Sequence, residues 1–129
     1  MRAVHALRAP DSRRGVLLAA IPCAFVVHFL EEGTRFVTWF NAHVPRGITT
    51  DLFWTVNIVA LVITMLACAL AWLAPDDVGD LLLFAWLSFL FAANALFHVV
   101  GALADRSYMA GLVTAILLYV PAYVVLVRD

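Results

Sequence analysis

His28, Glu31, Glu32 and Arg35 fall at i, i+3, i+4 and i+7 in the stretch VVHFLEEGTRF, one face of a helix. An imidazole and a carboxylate at that spacing can offer ligand atoms to one ion, and the same pair can pass a proton. Further along, Asn94, His98, Gly101 and Asp105 make a similar stripe. His98 would supply a third ligand, and Asn94 would orient a ligand or a bound water. Such a His/Glu set suits a divalent metal such as Zn, Fe or Mn, and an open coordination position would permit Lewis-acid or hydrolytic chemistry.

The same residues carry other readings. In a metal-free acid–base enzyme, one glutamate donates a proton while a histidine accepts another, which suits isomerisation or cyclisation of an apolar lipid or isoprenoid. In either mechanism the catalytic candidates are Glu31, Glu32, His28 and His98. In a non-catalytic membrane subunit, the polar residues would fasten their own bundle or dock a partner helix, and an Arg35–Glu31 pair would finish the first helix. Adjacent carboxylates repel unless a cation or proton is shared between them, so plain anchoring would not select two.

These residues sit in an apolar chain. Its 129 residues are 65% hydrophobic and 13% charged, with a mean hydropathy of +0.99, whereas a soluble domain is about half apolar and about a quarter charged. The length allows one domain, residues 1–129, and a net charge of −1 excludes a nucleic-acid partner. All the basic residues are arginines, as GC-rich codon usage produces, and a bacterial cell membrane is the expected location. Expected partners are the lipid bilayer and a lipid or isoprenoid ligand, with self-association into a homo-oligomer left open.

A spanning helix needs about 20 apolar residues, and four segments qualify: approximately 15–38, 52–74, 81–103 and 108–127. The fold class predicted is all-α, a four-helix transmembrane bundle with antiparallel neighbours. Pro45 and Gly47 break the chain before Thr49, Thr50 or Asp51 caps the second helix, and Asp105 or Ser107 can cap the fourth. Arg2, Arg8, Arg13 and Arg14 precede the first segment, which reads as an uncleaved anchor with both termini on the cytoplasmic side. Cys23 and Cys68 read as buried free thiols. Trp39, Trp54, Trp72 and Trp86 read as interfacial belt residues, Pro22 and Pro121 as kinks, and Tyr119 and Tyr123 as packing.

Helical rise places the polar residues at one depth. At about 1.5 Å per residue, His28 lies roughly 21 Å from Arg14, and Asn94 and His98 lie roughly 21 and 27 Å from Asp80. Asn57 and Thr114 each lie about 9 Å in from the opposite end of their helices. All four helices thus bring polar side chains to the outer third of the bilayer, whichever way the protein is inserted. The predicted result is a polar pocket open toward the outer surface, with Asn94, Asn57, Thr114, Tyr108 and Arg35 around the central residues.

Three motifs carry a resemblance. His28-Phe-Leu-Glu31-Glu32 reads as H-x-x-E-E, Asn94-Ala-Leu-Phe-His98 as N-x-x-x-H, and Tyr108-Met-Ala-Gly111 as Y-x-x-G. Together, over roughly residues 20–120, they resemble the HXXEE family of small integral membrane proteins. In the family pattern a proline precedes the last glycine, where this chain has Ala110, a departure that touches only the entry to the fourth helix. The family is of uncharacterised function, so the resemblance implies the fold and the residues that matter, and no reaction.

Overall fold

Two of the helix starts are fixed by a local side-chain cap. The computed structural model describes residues 11–74 and 76–128, and among them there are four helical rods and no strand. Helix α1 runs Asp11–His43, through Pro22 without a break, and bends at Gly33, whose φ of 42° and ψ of −145° are non-helical. Helix α2, Thr50–Leu73, opens under the Thr49 side chain, which accepts from the Leu52 N–H at 3.1 Å. Helix α3, Asp77–Asp105, opens under Asp76, whose Oδ1 accepts from the Gly79 N–H, and ends at Arg106 in the left-handed conformation. Helix α4 covers residues 112–128.

Two of these helices contain a π-helical stretch. In α3 it is Ser88–Ala93; in α4 it is Ala115–Tyr119. The second ends just before Pro121, whose missing N–H already removes one helical bond from this part of the chain.

Among the described residues, three helices are long and apolar enough to cross a membrane: Gly15–His43, Thr50–Leu73 and Asp77–Asp105. The fourth, Leu112–Val125, is apolar but shorter. It starts later than residue 108 because the chain between α3 and α4 turns inward as irregular backbone, burying Met109 and Ala110. Irregular backbone at such a depth is tolerated when protein covers it. The cap differs too. Neither Asp105 nor Ser107 starts α4; the N-cap position is Gly111, which has no side chain to offer.

The core lies where α1 faces α3 and α4. Ile21, Phe25 and Phe29 of α1 belong to one buried cluster with Leu87 and Phe91 of α3 and Ala115 of α4. Helix α2 stands at the rim, with 17% of its most apolar window buried against 33% for α1 and α3. It is tied to α3 by the Trp86 indole, which donates to Thr64 Oγ1 at 2.9 Å while Thr64 donates to the Ala60 carbonyl. Trp86 is therefore a bundle donor rather than a belt residue. Of the two free thiols Cys68 is buried, but Cys23 faces outward.

Candidate metal centre

Two adjacent glutamates serve two different neighbours. Successive residues of an α-helix point about 100° apart, so Glu31 and Glu32 cannot face the same partner, while His28 and Glu32, one turn apart, nearly can. Glu32 turns toward α3, where its Oε1 lies 3.0 Å from His98 Nε2, and it lies 3.5 Å from His28 Nε2. The two imidazoles meet edge to face, with ring centroids 4.9 Å apart. Ligand atoms of His28, Glu32 and His98 all lie within 4.8 Å of one another, and all three residues are buried.

Glu31 turns to α4. Its carboxylate accepts from the Val113 N–H at 3.2 Å, the Thr114 N–H at 2.8 Å, the Thr114 hydroxyl at 2.5 Å and the Tyr108 hydroxyl. This is a helix N-terminus capped by a residue from another helix. The first amides of α4 have no partner within it, and a carboxylate also suits the positive end of the helix dipole. Every donor around Glu31 calls for an ionised acceptor. Desolvation and the Glu31 carboxylate raise the pKa of the Tyr108 phenol, which keeps its proton and donates.

The hydrogen bonds fix the tautomer of His28. The Thr114 hydroxyl has one proton, and its shortest acceptor is Glu31 Oε2; the Gly111 carbonyl is further, at 3.3 Å. It therefore accepts from His28 Nδ1–H, which lies at 2.8 Å. A neutral His28 then carries its lone pair on Nε2, the nitrogen that faces Glu32. Neither His28 Nε2 nor His98 Nε2 makes an aligned hydrogen bond, even though Glu32 is close to both. A carboxylate, a hydroxyl and an imidazole in series form the kind of outer support that orients metal-bound histidines.

A glycine closes the site where the chain enters α4. Gly111 has a φ of 92°, and a Cβ there would fall 2.6 Å from His98 Cε1, 2.9 Å from Glu32 Cγ and 3.0 Å from His28 Cε1. The backbone at Gly111 thus lies directly on the three side chains. The expected pocket open to the outer surface is instead sealed, because the chain before α4 folds inward rather than continuing as helix. The positive φ of Gly111 and its contact with the cluster are tertiary facts.

The remaining predicted residues divide. Thr114 and Tyr108 join the network through His28 and Glu31. Asn94 sits one turn before His98, and its Oδ1 is buried without a hydrogen-bond partner. Asn57 is not brought in: its amide donates to the Phe53 carbonyl of its own helix at 3.0 Å. Arg35 lies beyond the Gly33 bend and is exposed, so the single face expected for residues 28–35 is interrupted.

A family model described as a protein of unknown function with HXXEE motif matches residues 19–126. The chain belongs to the HXXEE family. Neither the curated proteins nor the solved structures contain a significant match. In this HXXEE protein the histidine and the second glutamate of the motif meet His98, while the first glutamate caps α4. A separate network, not expected from the sequence, joins α1 to the end of α3 in the HXXEE chain. The Trp39 indole donates to Asp105, and His43 lies 2.9 Å from Asp105 through Nε2 and 2.8 Å from the Trp39 carbonyl through Nδ1. Both ring nitrogens of His43 face acceptors, which favours the doubly protonated ring. His43 is exposed, and nothing in its neighbouring residues signals a partner 62 positions away.

Proposed function

We propose that this HXXEE protein is a multi-pass membrane protein that binds one divalent transition ion through His28 Nε2, His98 Nε2 and a Glu32 oxygen. The observation that carries the reading is the convergence of three buried ligand atoms, two of them imidazole nitrogens with no aligned hydrogen bond. Leaving buried polar atoms unpaired costs about 1–3 kcal/mol each, and a cation at their centre removes that cost. Two imidazoles and one carboxylate are the donor set of three-ligand zinc hydrolases and of open-sided non-haem Fe(II) centres. Glu31 is left out of the ligand set, because its oxygens already accept four hydrogen bonds.

The ion would supply Lewis acidity or redox chemistry at its open position. The protein's own residues hold it: Glu31 and Thr114 keep the proton on His28 Nδ1, and Gly111 keeps outside water away. That sealed geometry favours a small ligand over a lipid or isoprenoid. We assign both termini to the cytoplasmic side of a bacterial cell membrane, a sidedness supported by the four arginines that precede the first span.

The test is elemental analysis of protein purified in detergent without chelator, wild type beside His28→Ala, Glu32→Gln and His98→Ala. Near-stoichiometric Zn, Fe or Mn in the wild type, lost from all three variants, is expected. A wild type that stays empty after each metal is added back would sink the reading. The 3.0 Å approach of His98 to Glu32 favours one second reading, a metal-free pair sharing a proton for acid–base chemistry. If neither ion nor turnover is found and the variants only lose stability, the cluster is a structural network of a non-catalytic subunit.

A further inference from the structure

Tyr119 is fully buried, and its hydroxyl has no hydrogen-bond partner. Its ring lies against the His28 ring, with centroids 4.3 Å apart, and stacks on Phe91 at 4.4 Å. A phenylalanine would fill both ring contacts, so packing accounts for the ring and leaves the hydroxyl without a reason.

The backbone shows how Tyr119 reaches the cluster. In an α-helix the fifth residue after Thr114 would be rotated by about 140° from it. The stretch Ala115–Tyr119 is π-helical, closed by bonds to the fifth residue, which brings Thr114 and Tyr119 to one side. Both therefore touch His28: Thr114 at the Nδ1 edge and Tyr119 against the ring face. π-Helical turns of this kind are concentrated at functional sites.

We propose that the Tyr119 hydroxyl is the hydrogen-bond donor for a small ligand on the ion's open position, such as water, hydroxide or a small anion. The inference rests on the metal reading above and adds to it. The protein's three ligands leave the coordination sphere open, and Gly111 covers the cluster where the chain enters α4. What binds there must be small, and it meets a buried, uncommitted phenol.

The test uses full-length protein in detergent, loaded with Co²⁺ and titrated with azide, followed by the visible absorption of the cobalt. Azide should perturb the wild-type spectrum, and Tyr119→Phe should bind Co²⁺ equally well but azide about tenfold more weakly. The metal-free Tyr119→Phe protein should melt no lower than wild type, since only an unpartnered hydroxyl is removed. Equal azide affinity in the two proteins overturns the proposal. So does a cobalt spectrum that azide leaves unchanged, or a Tyr119→Phe protein that fails to load Co²⁺. In the first two cases the metal site itself stands. If the wild type binds no Co²⁺, it is the metal reading that fails, and this one falls with it.

Discussion

Glu31 and Glu32 are chemically identical, adjacent, and placed by helical geometry in different tasks, so their substitutions should separate. Glu32→Gln is expected to abolish metal loading while leaving the melting temperature nearly unchanged in the metal-free protein. Glu31→Ala uncaps α4 and leaves the Val113 and Thr114 amides without their acceptor. It should lower stability by about 1–3 kcal/mol, read as a drop in melting temperature in detergent. Thr114→Val removes both the acceptor for His28 Nδ1–H and a donor to Glu31. Loss of such an outer partner typically weakens metal binding about 10–100-fold, measurable by competition with a chromophoric chelator. Of these roles, the pairing of His28 with Glu32 was legible in the four-residue spacing. The capping by Glu31 was not, because it depends on where α4 begins.

At the scale of the helix, two glycines take positive φ for different reasons. At Gly33 a Cβ would meet nothing within 4 Å, so alanine there suffers backbone strain alone. That strain is of order 1–3 kcal/mol, and the bend lies just beyond the cluster, so Gly33→Ala should lose stability but keep the metal. Gly111→Ala adds a Cβ 2.6 Å from His98 Cε1 to the same kind of strain, and should lose both stability and metal. Parallel melting curves and metal contents of the two variants check this contrast. The π-helical stretches belong to the same scale. Sequence spacing read at 3.6 residues per turn places Tyr119 away from Thr114, and Tyr119 reads together with Tyr123 as packing.

Across the whole molecule, the ion would join α1 to α3 just beneath the chain that leads into α4. A ligand that binds only the folded state stabilises it by about 2.7 kcal/mol at a hundredfold excess over its Kd. Saturating metal should therefore raise the melting temperature of the wild type, a chelator should reverse the rise, and His98→Ala should show neither. The Trp39–Asp105–His43 network ties the same two helices on the other side of Gly101, where a Cβ would come 3.2 Å from the Trp39 ring. The clustering of His28 and His98 at one depth could be anticipated by counting helical rise from the ends of α1 and α3. The inclusion of Asn57 failed because depth says nothing about the direction in which a side chain points.

Hydropathy, breakers and spacing by themselves determined an all-helical chain with apolar spans, and motif residues on the first and third helices at a common level. Those properties are local: they depend on runs of apolar side chains and on a fixed rise per residue. Only the tertiary structure decided that Glu31 caps α4, that Gly111 lies on the cluster and seals it, and that Tyr119 lies against His28. Each of these turns on irregular backbone, an inward-folded connection and a π-helical turn, whose conformations are set by what they pack against and not by the periodicity of their own residues.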